Sequence, residues 1–246
     1  MENNNTINKP KKLVRKFLLY GLLSIIVILF ISHWVWKSSG TGEWEFVHEI
    51  DGVVVHSMKE PGSVIMKYKV NGKFKSSLSG IMKLMRDPDS CEDVGCNESY
   101  IIDKEDYPRF VHYTFRYDMP DPFLPREFVV LSEFHQDPES KEIYVDYKAA
   151  VDKLPPNDCC VRVTHMHNIW KFKPLGNGEV EVEFIMDNHP GGMLPYFLVN
   201  AEFTDTMHLE IPALQEILDK KEYQAAKVDY VMEYDEVAAV EVTSAE

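Results

Sequence analysis

The sequence predicts an α+β protein in which a curved antiparallel sheet wraps a long helix near the C-terminus. Five consecutive strand-like segments are joined by short turns, which is typical of an antiparallel meander. A stretch whose apolar residues lie three, four or six positions apart follows them, as expected for one face of a helix. Ahead of both lies a segment of twenty residues without a charged side chain, which predicts one membrane-spanning helix.

The composition is that of an acidic globular protein. The 246 residues include 26 Lys and Arg against 40 Asp and Glu, a formal net charge of −14. With 45% hydrophobic and 27% charged residues, the composition excludes a disordered chain and a protein with many membrane spans. Residues 1–16 carry a net charge of +4 and residues 17–36 carry none, so the remainder carries −18. Because so acidic a domain does not attract phosphate backbones, we expect no nucleic-acid partner.

Residues 17–36 form the predicted anchor. Twenty residues make about 30 Å of helix, the thickness of a bilayer core, and the tryptophans at its end suit the membrane interface. The basic residues before it predict that 1–16 form a cytoplasmic tip and that the domain beyond the linker 37–43 is extracytoplasmic. In the alternative, the segment is a signal peptide cut near the small residues 38–40, and the domain is secreted.

A single domain is predicted over residues 44–226. Strand character fills 53–55 and 63–70, and the Asn-Gly pair at 71–72 is a typical hairpin turn. Residues 77–85 have helical spacing. The five segments of the meander are 110–117, 128–134, 142–151, 160–172 and 179–186.

The helix near the C-terminus is predicted over 194–218. Pro195 suits its first turn, where a missing N–H costs nothing, and Pro212 is expected to kink the helix. An acidic tail is predicted over 227–246, mostly solvated, in which residues 237–242 have the character of a short strand.

Four motifs resemble those of START domains, the StAR-related lipid-transfer family. The stretch 190–200 (PGGMLPYFLVN) is similar to the one that opens the C-terminal helix of those domains. Residues 119–129 resemble their Pro-x-Pro turn and the strand after it, 44–55 resemble their opening pattern, and 161–174 follow their strand-to-turn spacing. Because the motifs keep the family's order and span about residues 44–220, the chain is identified as a START-like protein.

The resemblance implies a helix-grip fold, in which a nine-stranded antiparallel sheet grips the C-terminal helix around a tunnel for one hydrophobic ligand. It implies binding of a lipid or similar molecule, for transfer or sensing at a membrane, without catalysis and without a cofactor. We expect apolar side chains of the strands and of the inner helix face to form the tunnel walls. They are Phe115, Tyr117, Phe128, Val130, Trp170 and Phe184 from the strands, and Leu194, Phe197, Leu198, Ala201 and Met207 from the helix.

Arg126 and Glu127 stand at the position of an Arg-Asp pair in the family, from which Glu127 departs. We expect Arg126 to pair with an acidic residue and to hold the turn at 120–125, rather than to bind ligand. Sterol-binding members carry a buried arginine six residues further on, where this chain has Ser132. That departure argues against a polar anchor of the sterol type.

No nucleophile motif or P-loop is present, so no enzyme is predicted. The alternative function is a helix-grip enzyme, of the cyclase or hydratase type, acting on an aromatic or polyketide-like substrate. Its candidate acid–base groups are His165, His167, Glu127 and Asp187. His165 and His167 share a strand face and hold a metal only with a third ligand; since none is evident nearby, no metal site is predicted.

The four cysteines are too few for a disulfide scaffold of this length. Cys91 and Cys96 share a polar loop, and an oxidising compartment would allow a small disulfide ring between them. Cys159 and Cys160 are adjacent, and we expect them to point to opposite faces of a strand and to stay unbonded.

Overall fold

A computed structural model of the chain describes residues 9–234, with side chains from Leu13 onward. The strand character predicted at 237–242 lies outside the described residues. The chain divides into two compact units. One comprises the residues up to Glu43 together with 59–64, and the other comprises 44–58 and the chain from Ile65.

The first unit contains the long helix α1 (Lys9–Ser38). Its part Leu13–Ser38 is the one helix among the described residues that is long and apolar enough to cross a membrane. Large apolar side chains are exposed all around it, which is typical of a helix that faces lipid. At its end, the indole N–H of Trp36 donates to the carbonyl of Val64 at 2.9 Å, so the segment 59–64 packs against the end of the helix.

The second unit is built on one sheet. In chain order its strands are β1 (Trp44–Ile50), β2 (Val53–Met58), β3 (Lys67–Lys75), β4 (Asn97–Asp106), β5 (Phe110–Tyr117), β6 (Arg126–Gln136), β7 (Ile143–Ala149), β8 (Val161–Arg162), β9 (His165–Gly176), β10 (Glu179–Met186) and β11 (Asn188–His189). Nine of them pair antiparallel in the order β1-β2-β3-β10-β9-β7-β6-β5-β4, which confirms the predicted sheet and its meander. The two short strands lie off this path: β8 pairs parallel with β6, and β11 pairs antiparallel with β9.

The core lies on the concave face of this sheet. Val70, Phe184, Trp170, Val145 and Phe134 are successive cross-strand partners on five neighbouring strands, and all five are buried. Since strand side chains alternate between the two faces, this row identifies the residues that share the concave face on every strand. The alternating burial along the strands is therefore that of a sheet with one covered face.

Asn71 and Gly72 do not form the predicted hairpin turn, since both lie inside β3 and pair with β10. Gly72 has a packing role. A Cβ added to it would lie 3.1 Å from Cγ2 of Ile211, which is tighter than ordinary van der Waals contact. A glycine therefore lets a helix approach the sheet closely at this point.

The helix α2 (Leu78–Arg86) confirms the helical spacing seen in the sequence. Its first turn is capped twice. The Ser77 hydroxyl accepts the N–H of Gly80 at 3.0 Å, and the Glu233 carboxylate accepts two further N–H groups of that turn at 2.8 and 3.0 Å. Such caps satisfy donors that a helix N-terminus otherwise leaves without partners.

The C-terminal helix is divided differently from the prediction. It consists of α3 (Tyr196–Thr206), a 3₁₀ turn over Met207–Leu209 and α4 (Glu210–Leu218), followed by the short α5 (Lys221–Gln224). Pro212 does not kink a continuous helix. Because proline clashes with the carbonyl four residues earlier, the helix breaks before it and restarts with Pro212 inside the first turn of α4.

The segment after Ala226, where we expected the acidic tail to begin, contributes to the fold. The Tyr230 ring lies 5.1 Å from that of Phe134, centroid to centroid. The backbone of Met232 exchanges two hydrogen bonds with the Gln136 side chain, at 2.7 and 2.9 Å. Together with the Glu233 cap, these contacts fasten the described end of the chain to β6 and α2.

Both cysteine pairs are disulfide-bonded. Cys91 and Cys96 close the ring that the sequence left open, with Cα atoms 5.0 Å apart. The prediction for Cys159 and Cys160 is wrong, because these neighbours are bonded to each other. They lie in a bend before β8 rather than within a strand, so the alternation of faces does not separate their sulfur atoms.

Candidate ligand-binding site

Polar contacts fasten α3 to the concave face. Asn200 is its buried residue, and the amide oxygen of that side chain accepts the backbone N–H of Met66 at 3.0 Å. The Tyr68 hydroxyl donates to the Asn200 carbonyl at 2.8 Å and lies 2.8 Å from the hydroxyl of Thr204. The helix is therefore rotated so that Asn200 and Thr204 point at β3.

That rotation corrects the predicted inner face of the helix. Phe197 and Leu198 expose 62% and 55% of their surface, and Ala201 is exposed as well. Met207 is buried and Leu194 is half-buried. The apolar spacing was misleading because Asn200 and Thr204, which hold α3 against the sheet, are polar.

The predicted strand residues lie together on the concave face. The rings of Phe115 and Phe128 stack at 5.0 Å, and those of Trp170 and Phe184 stack at 3.9 Å, centroid to centroid. Trp170 and Phe184 are buried, as is Val130, whereas Phe115, Phe128 and Tyr117 keep part of their surface accessible. The concave face thus carries an aromatic lining that is only partly covered.

Tyr117 and Glu210 are enclosed by protein yet accessible to solvent. Burial raises the pKa of the Tyr117 hydroxyl to about 12, and the charge of Glu210 adds to the increase. Burial also raises the pKa of the Glu210 carboxyl. Because the charge of Glu210 acts on Tyr117, the start of α4 lies near the aromatic end of β5.

Arg86 brings a guanidinium to the far end of the concave face. It lies over the rings of Phe134 and Tyr230, with Cζ 5.0 and 5.4 Å from their centroids. Its Nε donates to the Ser132 hydroxyl at 3.3 Å, and its Nη2 donates to the carbonyl of Pro108 at 2.8 Å. The Tyr230 hydroxyl also hydrogen-bonds with this guanidinium.

The guanidinium of Arg86 therefore reaches Ser132, the position at which sterol-binding START domains carry their buried arginine. Sequence reasoning missed Arg86 because it belongs to α2, far from the motif along the chain. The signal that could have found it is an arginine at the end of an otherwise apolar amphipathic helix, where a charged residue is buried only when it has partners.

Arg126 is buried, but it forms no ion pair with an acidic residue in the part of the chain that the structure describes, contrary to the prediction. Its Nε donates to the carbonyl of Pro190 at 2.7 Å, its Nη2 donates to that of Gly191 at 3.2 Å, and its Nη1 donates to that of Leu124. The guanidinium thus ties the predicted turn before β6 to the loop that precedes α3. Gly191 and Gly192 have positive φ values of 65° and 68°, which glycine adopts at little cost.

Glu127 is held by an ion pair. Its carboxylate accepts from Arg162 Nε at 2.8 Å and from the side-chain amide of Asn157 at 2.6 Å. His165 contacts Asp187 at 2.8 Å on the outer side of the sheet. The four candidate acid–base groups therefore do not converge on the aromatic lining of the concave face.

The described residues also form two open clefts, of about 460 and 500 Å³, near the start of α2. Both contain Ser77, Gln224 and Glu233, and neither contains a residue predicted to bind ligand. Because Gln224 and Glu233 are exposed, these clefts belong to the protein surface and not to the concave face.

No family model matches the chain. An uncharacterised protein of Pseudomonas aeruginosa is 24% identical over 203 residues, which is 82% of this chain and 99% of that protein. A StAR-related lipid transfer protein of Xanthomonas axonopodis, solved as a fragment, superposes with a TM-score of 0.63 at 20% identity, covering 73% of this chain and all of that one. The chain has the START fold. Human STARD10 (TM-score 0.64, 14% identity, 73% and 74% covered) and human StAR-related lipid transfer protein 5 (0.59, 16%, 82% and 96%) share this START fold.

In the START fold of this chain, the C-terminal helix lies on the concave face, as the helix-grip architecture requires. The strand residues predicted from the resemblance lie on that face.

Proposed function

We propose that this protein is a membrane-tethered carrier that binds one lipid or similar hydrophobic molecule, without catalysis, between the concave face and the helices α3 and α4. The observation that carries the proposal is the aromatic lining of the concave face, in which Phe115, Tyr117 and Phe128 stay partly accessible. Burial of a ligand there gains about 25 cal/mol for each Å² of apolar surface removed from water.

The proposed wall keeps the predicted strand residues and revises the helix residues. On the helical side, Phe203, Leu214 and Ile217 are half-buried against the core, and we propose them in place of the exposed Phe197, Leu198 and Ala201. The proposed contacts are Phe115, Tyr117, Phe128, Val130, Trp170 and Phe184 from the sheet, with Leu194, Phe203, Met207, Leu214 and Ile217 from the helical side.

Arg86 is proposed to receive the polar end of the ligand. Its guanidinium is buried, and no acidic side chain among the described residues forms an ion pair with it. A carboxylate or phosphate of a ligand would supply the missing negative charge. A guanidinium favours an acidic group, because hydrogen bonds to an ionised acceptor are the stronger ones.

Exposed apolar side chains lie on both segments that Arg126 connects. Leu124 exposes 54% of its surface in the turn before β6, and Met193 exposes 94% in the loop before α3. Phe197 and Leu198 extend this apolar surface along the first turn of α3. Because such patches mark contact surfaces, we propose that this one, the entry patch, touches a membrane while the ligand enters or leaves.

The anchor and its orientation belong to the same proposal. Helix α1 would hold the protein in the membrane, with residues 1–16 in the cytoplasm and the START fold outside it. Two disulfides fit an oxidising compartment. A reporter fused at the C-terminus tests the topology, since activity in the cytoplasm would contradict it.

Native mass spectrometry of residues 40–246, followed by lipid extraction, tests ligand binding. We expect one co-purified hydrophobic molecule for each chain. An empty protein that also fails to take up lipid from vesicles would contradict the proposal. Substituting Leu198→Gln should slow transfer between vesicles but leave equilibrium binding unchanged, whereas Leu175→Gln, exposed at a distant hairpin, should change neither.

A further inference from the structure

Two histidines and an aspartate from neighbouring strands converge outside the ligand site. His165 Nε2 lies 2.8 Å from Asp187 Oδ1, and His189 Nε2 lies 3.8 Å from the same oxygen. The two imidazole rings face each other with centroids 4.1 Å apart. The three donor atoms lie within 4.8 Å of one another, so a small adjustment of the side chains would let all three contact one cation.

The backbone fixes these three residues. His165 and His189 are direct cross-strand partners of β9 and β11. Asp187 is held between them, since its carbonyl accepts the N–H of His167 at 2.9 Å and its own N–H donates to the Asn168 side chain at 3.3 Å. A site built on paired strands loses little conformational entropy when an ion binds.

The two oxygens of Asp187 have separate partners. Lys67 Nζ lies 3.1 Å from Oδ2, while Oδ1 is the oxygen that faces both histidines. A partner on the second oxygen is the usual means of orienting a ligating carboxylate. The carboxylate is largely buried, and the side chains of His165 and His189 are 49% and 34% exposed, so an ion can reach the site from solvent.

A second group with similar composition provides a contrast. Asp103, Glu105 and His112 also bring their donor atoms within 4.8 Å of one another. There, Lys153 Nζ lies 3.0 Å from the Asp103 carboxylate and 2.6 Å from that of Glu105, so an ammonium group already stands between the acids. At Asp187 the lysine contacts only the oxygen that points away from the histidines.

We propose that His165, Asp187 and His189 form a binding site for a divalent metal ion, preferably zinc, on the outer side of the START fold. Two imidazoles and one carboxylate are a common zinc ligand set, and a fourth position stays open to water. The site is next to Pro190, whose carbonyl Arg126 holds, so a bound ion would stiffen the loop before α3. The proposal of this metal site does not depend on the lipid proposed for the concave face.

Zinc binding to the full chain, purified through a tag without histidine, tests this site. Calorimetry should give one zinc ion per chain with micromolar or tighter affinity. Cobalt in place of zinc should give the visible absorption of a four-coordinate ion. Zinc at a hundredfold excess over Kd should raise Tm by roughly 5 to 10 °C, as expected for a ligand that binds only the folded state.

Substituting His189→Ala or His165→Ala should weaken zinc binding at least tenfold, since each removes one of three ligands. The matched control is His167→Ala, two residues from His165 on the same strand face, which should bind zinc as the parent does. Thermal melts without zinc identify any variant that fails to fold. The absence of stoichiometric zinc binding by the folded parent, or equal loss in the His167→Ala variant, would overturn the proposal.

Discussion

The two halves of the C-terminal helix are fastened to the sheet by different means. Helix α4 buries Ile211 and Leu218, and Ile211 packs directly on the backbone of Gly72. Helix α3 buries one residue, Asn200, and depends on hydrogen bonds from β3. Full burial of a leucine or isoleucine contributes about 1.5–3 kcal/mol, whereas one hydrogen bond contributes about 1 kcal/mol net.

This difference in attachment predicts which half of the helix opens more easily. A segment with little apolar burial opens locally at a lower free energy than the domain as a whole. Helix α3 also follows two glycines and carries part of the entry patch. We therefore expect α3 to open as the gate while α4 stays on the sheet, and five substitutions test this account.

The largest effect is expected in α4. Leu218→Ala should lower the free energy of unfolding by about 2–5 kcal/mol, because it leaves a cavity at a fully buried site. The matched change in α3, Leu198→Ala, should alter it by less than about 0.5 kcal/mol, since that side chain is 55% exposed. Urea denaturation of both variants of residues 40–246 measures the difference. Equal destabilisation would remove the distinction between the two halves.

Arg126→Lys should have the next largest effect. A lysine has no planar fork with which to reach three carbonyls, so we expect a loss of about 1–3 kcal/mol in stability. Hydrogen exchange should accelerate over the loop at 190–195 and over α3, while lipid affinity stays within twofold of the parent. A variant that melts like the parent but no longer binds lipid would make Arg126 a ligand residue.

Tyr68→Phe should loosen α3 selectively. It removes the hydroxyl that contacts Asn200 and Thr204, at a cost of about 1 kcal/mol. Amide exchange should therefore increase in α3 and remain unchanged in α4, as mass spectrometry of peptides from the two helices will measure. An increase of similar size in both helices would mean that they open as one unit.

The smallest effect concerns Glu210 and depends on pH. Burial raises the pKa of this carboxyl above its ordinary value of 4.5, so the folded state holds the proton more tightly than the unfolded state does. Stability then falls as pH rises through the interval between the two pKa values, and the penalty is complete above the folded-state value. Glu210→Gln should raise Tm at pH 7, and the gain should vanish below about pH 4. A gain in Tm that persists at low pH would contradict this explanation.

The fold was predictable because its signals are local. Alternating apolar residues and short turns predicted the strands of the meander, and their order, together with the START motifs, predicted the sheet. Helix α2 was predictable from spacing alone, and its Ser77 cap agrees with that prediction. The Asn71-Gly72 pair was misleading because the glycine that lets Ile211 pack closely on the sheet also completes the pattern of a hairpin turn.

The site was less predictable because contacts between distant segments create it. The helix face was assigned from apolar spacing, whereas the rotation of α3 is decided by Asn200, a polar residue whose side chain bonds the backbone of Met66 just before β3. Arg86 reaches Ser132 across 46 positions of the chain, and Asp187 joins His165 to His189 only once β9 and β11 pair. No local pattern encodes such pairings.

A binding titration with a fluorescent fatty acid tests the central claim most directly, namely that the ligand lies against the concave face. The titration compares residues 40–246 with the Phe115→Gln and Phe197→Gln variants, after thermal melts have established that all three are folded. We predict saturable binding at one molecule per chain, an affinity reduced at least tenfold by Phe115→Gln, and no change with Phe197→Gln. Unsaturable binding, or a loss with Phe197→Gln alone, would contradict the account.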